Sequence, residues 1–151
     1  MYLGAASGNL SSTVFISSTA GNGASAIEGI GCVASLGSTA PGVLQFNLPE
    51  VIPSGTMKLR ALAWAQATTG NGVIVPSDGQ TAPGSDIGAA SLTTDATITI
   101  TWTTGSIINE QKVNLGTTPT ANDILTVLLN FSSSSWTLAQ TSVWQFSIVW
   151  E

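Results

Sequence analysis

Residues 97–103 read Thr-Ile-Thr-Ile-Thr-Trp-Thr, and a period of two over that length fits a β-strand and no helix. It places Ile98, Ile100 and Trp102 on one face and four threonines on the other. The C-terminal run repeats the pattern, with Trp144, Phe146, Ile148 and Trp150 on one face and Val143, Gln145, Ser147 and Val149 on the other. No segment carries a helical period. Strands are predicted at 43–48, 57–67, 72–75, 97–103, 107–115, 124–131 and 143–150. Between them fall Pro49, Pro53 with Gly55, Gly70-Asn71-Gly72, Pro83-Gly84, Gly105 and Pro119, where fixed or positive φ serves a turn. Short strands at such spacing predict an all-β fold, an antiparallel β-sandwich.

Two segments depart from one-sided alternation. Residues 124–131 are apolar on both faces. Residues 57–67 set a Met57, Leu59, Ala61, Ala63, Ala65 face against one of Lys58, Arg60, Leu62, Trp64 and Gln66. Both are expected to have their second face covered, because an open doubly apolar strand is an aggregation edge. The cover expected is either the N-terminal segment or a neighbouring subunit. Residues 1–42, rich in Gly, Ala, Ser and Thr, read as an extended N-terminal arm with one short strand near 13–17. Residues 43–151 read as the sandwich domain, and 151 residues suffice for a core without metal or disulfide.

Charge removes several function classes. Only 7% of residues are charged, the net charge is −5, and Lys58, Arg60 and Lys112 are the only cations, so no basic stripe exists for phosphates and no nucleic-acid partner is expected. The chain has no histidine, hence neither the usual general base nor the commonest metal ligand. Cys32, the only cysteine, cannot form an intramolecular disulfide and reads as a small buried hydrophobe. The N-terminus has neither a basic region nor a sustained apolar run, so no signal peptide and no membrane partner are expected. A surface of Ser, Thr, Asn, Gln and Gly suits a protein largely covered in an assembly.

Motifs add little chemistry. Gly21-Asn22-Gly23-Ala24-Ser25-Ala26 and Gly29-Ile30-Gly31-Cys32-Val33-Ala34 match a dinucleotide-binding pattern, but neither opens a helix, and no cofactor is expected. The eight acids are spread singly; Asp78-Gly79 reads as a turn, and a loop holding Asp78 and Asp86 lacks the dense spacing of a calcium site. A glycosidase built on two of these acids is the enzymatic alternative, and a non-enzymatic protein is the expectation. Of the five tryptophans, Trp136, in a serine-rich turn, is the candidate platform for a sugar or anchor for an interface.

The run Leu48-Pro49-Glu50 to Ser54-Gly55-Thr56, then Lys58-Leu59-Arg60-Ala61-Leu62-Ala63-Trp64 and residues 68–75, resembles small structural proteins of tailed phages. Asn122-Asp123-Ile124-Leu125 and the terminal Phe146-Ser147-Ile148-Val149-Trp150-Glu151 are similar to that group as well. The resemblance covers about the last two-thirds of the chain. It implies a jelly-roll-like sandwich, made in the host cytoplasm and carried on the virion exterior. It further implies a homotrimer that binds the phage major capsid protein as a decoration, or cement, protein. On that reading Tyr2, Leu3, Val14, Phe15 and Ile16 dock the arm on the capsid, and Trp64, Leu125, Val127 and Leu129 make subunit contacts. The alternative is a sugar-binding or host-attachment module of a phage fibre or head spike.

Overall fold

The computed structural model describes residues 10–18, 24–29, 32–35, 42–65, 69–85, 91–103, 108–131 and 142–151. Among them are eleven strands: β1 (Leu10–Ser18), β2 (Ala24–Gly29), β3 (Cys32–Ser35), β4 (Gly42–Asn47), β5 (Met57–Ala65), β6 (Gly70–Thr81), β7 (Thr93–Thr94), β8 (Ile98–Trp102), β9 (Ile108–Asn114), β10 (Ile124–Phe131) and β11 (Ser142–Trp150). All pairings are antiparallel. One sheet runs β3-β2-β1-β11-β5-β9; the other runs β4-β10-β6, with β7 and β8 both pairing along β6.

The connectivity is that of a jelly roll. The pairs β1·β11, β4·β10, β5·β9 and β6·β8 are the rungs of one long antiparallel ribbon folded over on itself. The β2–β3 hairpin extends the first sheet beyond β1. Strands β1, β2 and β3, in the part of the chain read from the sequence as an extended arm, thus continue the six-stranded sheet, with β1 between β2 and β11 and the expected strand at 13–17 inside it. The sheet therefore crosses the 42/43 boundary drawn from composition.

Period-two patterning decides which side chains enter the core. Leu59, Ala61 and Ala63 of β5, Trp144, Phe146 and Ile148 of β11, Ile98, Ile100 and Trp102 of β8, and Leu125, Val127 and Leu129 of β10 all point between the sheets. Large and small residues alternate across the first sheet: Phe146 lies opposite Ala61 and Trp144 opposite Ala63, so each ring has room over an alanine. Trp144 stacks on Phe146 at 5.9 Å and meets Trp102 of the other sheet edge-on at 5.9 Å.

Asp78-Gly79 reads in the sequence as a turn, yet the strand predicted at 72–75 extends from Gly70 to Thr81. The reason is partner strands: β10 pairs along residues 74–81, and β7 pairs with Ser77 and Asp78. The outer face of β10, where Thr126 is buried and Ile124 and Leu128 are half-buried, is covered partly by the chain's own β6–β8 connection. That connection passes over Gly79, level with Thr126: a Cβ there would meet the Ser91 carbonyl oxygen at 2.9 Å and Leu92 Cδ2 at 3.0 Å. At this level the cover is neither of the two sources expected from the sequence. Gly55, with φ 113°, turns the chain into β5, and Thr56 and Glu151 exchange two backbone hydrogen bonds at 2.8 and 3.2 Å.

Candidate interaction face and a buried carboxyl pair

The outward residues of β5 and β9 form a mixed patch. Across the pair, Trp64 lies opposite Ile108, Leu62 opposite Glu110, and Arg60 opposite Lys112. Trp64 is 37% and Ile108 66% exposed. Further along the same face lie the three Lys and Arg side chains of the chain. Arg60 donates from Nε and Nη2 to the two oxygens of Glu110 at 2.9 and 3.2 Å. Lys58 donates to Glu151 at 3.2 Å, and Lys112 reaches both Glu151 and Glu110. Arg60's hydrogen bonds hold the Glu110 carboxyl below the usual range; Lys112 and then Lys58 do the same for Glu151. Exposed pairs of this kind contribute little stability. Charges along β9, an edge strand, discourage indiscriminate pairing and orient a specific partner.

Trp64 is thus on the surface, as a contact residue must be. Leu125, Val127 and Leu129 are not: all three are fully buried between the two sheets, and their assignment to a subunit interface is corrected here. Two apolar faces left the inward one undetermined; the register with β4, which sets Leu125 beside Phe46 and Val127 beside Leu44, settles it. Val14, Phe15 and Ile16 are placed by backbone alone, opposite Trp144, Val143 and Ser142 of β11. Tyr2, Leu3 and Trp136 lie outside the described residues.

A second constellation closes one end of the sandwich. Ile74, Pro76, Asp78 and Gln80 share the inward parity of β6, so Asp78 enters the interior, 0% exposed, and not a turn. Its Oδ1 accepts from the Gly116 N–H at 3.2 Å and its Oδ2 from the Thr117 N–H at 3.0 Å. Gln80 continues the clamp on the same crossover: Oε1 accepts from Thr120 N–H at 2.9 Å, and Nε2 donates to the Thr118 carbonyl at 2.7 Å. Gln111 repeats the device at the free edge of β8, with Oε1 accepting from Thr99 N–H at 2.7 Å and Nε2 donating to the Thr97 carbonyl at 3.4 Å. Each amide side chain stands in for one peptide group of a missing strand.

Asp95, just past β7, also accepts from the Gly116 N–H, at 2.8 Å, and its Oδ2 is buried without a hydrogen-bond partner. Burial, then the neighbouring Asp78 carboxylate, raise its pKa from 3.8 to about 7. A raised carboxyl beside another carboxylate is an electrostatic signature shared with catalytic dyads. Asp78 itself is wholly buried with both oxygens engaged by backbone N–H groups, and Asp86 lies outside the described residues. Among the described residues no three His, Cys, Asp or Glu side chains gather as a metal site. The sequence signal for this cluster was parity: 74, 76, 78 and 80 continue one face, but the turn character of Pro-Ser-Asp-Gly hides it. Compared with protein-family models, curated proteins and solved structures, the chain matches none.

Proposed function

We propose that this chain is a non-enzymatic virion structural protein, a decoration protein that binds the outside of a tailed-phage capsid and stabilises its capsomer joints as a homotrimer. The observation that carries the reading is the exposed Trp64–Ile108 pair on a sheet face, bordered by half-buried Leu62 and by Glu110, with the cations of a sparsely charged chain further along the same face. An aromatic anchor within a polar and charged rim is the composition of a protein-binding surface. A jelly roll closed by its own glutamine and aspartate clamps supplies a rigid body for such a face. A cement protein works by burying area across a joint, so that added contacts must break before the shell opens; no turnover is needed. The phage-like turn and strand pattern at 48–75 selects the capsid among possible partners.

The test is light scattering on the purified chain followed by co-sedimentation with undecorated phage heads. A trimer that pellets saturably is expected, with apparent affinity reduced at least tenfold in Trp64→Ala while the unfolding midpoint stays within a few degrees of the parent. A monomer that never pellets overturns the proposal. A trimer that ignores heads yet binds glycans replaces it with the attachment-module reading.

A further inference from the structure

Two connections meet at Gly116. The β6–β8 connection brings Thr93 and Asp95 back along β6, where Asp95 N–H donates to the Pro76 carbonyl at 2.9 Å. The β9–β10 crossover brings Gly116 beneath them so closely that a Cβ there would lie 2.7 Å from Thr93 Cγ2 and 3.4 Å from Asp95 Oδ1. One N–H, that of Gly116, is shared by Oδ1 of Asp78 and Oδ1 of Asp95, at 3.2 and 2.8 Å. Two carboxyl groups accepting the same hydrogen lie within a few ångströms of each other, and at that separation ionisation of one disfavours ionisation of the other. The spare oxygen of Asp95 has no donor aimed at it, which is the expected state of a carboxyl oxygen able to carry a proton itself.

We propose that Asp78 and Asp95 share one proton carried by Asp95, and that this proton locks the β7 segment onto the β9–β10 crossover, releasing it when the proton is lost. Asp78 remains the acceptor for Gly116 and Thr117. Protonated Asp95 donates to Asp78 and removes the repulsion between them; deprotonated Asp95 leaves two carboxylates over one N–H. Among the described residues, Asp78 is the charged group acting on Asp95. Lys58, Arg60 and Lys112 are engaged with Glu110 and Glu151 on the outer face of the other sheet, and the chain has no histidine. The raised pKa of Asp95, about 7, sets where the lock opens. A folded-state pKa above the unfolded value means stabilisation present in full below about 3.8 and lost as pH rises through about 7. The segment it frees, 91–95, is the one that covers Gly79 and the outer face of β10, so the lock governs access to that face.

The experiment is carbon-13 carboxyl NMR of the full chain, with amide hydrogen exchange at pH 6 and pH 8.5. Asp95 is expected to titrate with a midpoint near 7. Exchange at Thr93–Asp95, Gly116 and Thr117, corrected for intrinsic rates, should rise about tenfold across that range, the equivalent of about 1.4 kcal/mol. In Asp95→Asn the amide mimics the protonated acid, so the pH dependence should vanish with the segment held closed. In Asp78→Asn an NH2 would face one of the Gly116 and Thr117 N–H groups while the amide oxygen accepts from the other, so exchange at the group left without an acceptor should be fast at both pH values. Titration of Asp95 below pH 5 in the wild-type chain overturns the proposal, as does an undiminished pH dependence in Asp95→Asn.

Discussion

Leu128 and Leu129 are neighbours on β10 with opposite fates, so one substitution made at each separates core from cover. Leu129 is 0% exposed between the sheets, and its Cα partners are Pro76 on β6 and Gly42 on β4. Truncation to alanine removes transfer free energy of about 2 kcal/mol, and the rigid neighbours on both flanking strands leave most of the cavity open, for a total of about 3–5 kcal/mol. Leu128 is half-buried on the outer face beside Val43, itself 38% exposed, and Leu128→Ala should cost about 1–1.5 kcal/mol. Equilibrium urea unfolding at constant protein concentration reads both, with an unchanged m-value as the check that the unfolded state is not altered. For a chain of this size the Leu129→Ala midpoint in a thermal scan should drop by roughly 10 °C. Equal losses at the two positions, or a larger loss at Leu128, would refute the assignment of the inward face. So would a loss at Leu129 that appears only as dissociation of an oligomer.

Two further outcomes follow from the clamps and the ion cluster. Gln111→Ala removes the amide that satisfies Thr99 N–H and the Thr97 carbonyl, so it should cost about 1–2 kcal/mol and raise exchange at Thr99 while leaving Thr126 protected; unchanged exchange at Thr99 would mean water replaces the amide without loss. On the acid side, Glu110 and Glu151 have folded-state pKa values held below 4.5 by Arg60 and Lys112, so their small stabilisation is present above about 4.5 and is lost as pH falls through the folded values. With Asp95 acting in the opposite sense up to about 7, the unfolding midpoint measured against pH should peak on the acid side of neutrality. A maximum at pH 8 or above would contradict the sign of the Asp95 contribution.

Local pattern alone was enough for most strands of the sandwich, because period two is a property of the backbone and survives any tertiary context. The strands expected at 124–131, 143–150 and 97–103 are observed within a residue or two at each end. Composition likewise fixed the absence of histidine chemistry and the scarcity of cations. Trp64, on the face opposite Ala63, was legible as a surface residue once alternation was applied to β5.

Tertiary structure alone decided the rest. Which face of β10 is core depended on which strands flank it, since Leu125, Val127 and Leu129 are no more apolar than Ile124 and Leu128 taken alone. The second half of β6 became strand because β10 and β7 pair with it, overriding a Pro-Ser-Asp-Gly stretch that in isolation is a turn. Asp78 and Asp95 lie 17 residues apart with no spacing that announces a pair; only the fold of the β6–β8 connection over Gly116 brings them to a common hydrogen. A strand's period is written in consecutive residues, whereas a shared proton depends on where distant segments of the chain come to rest.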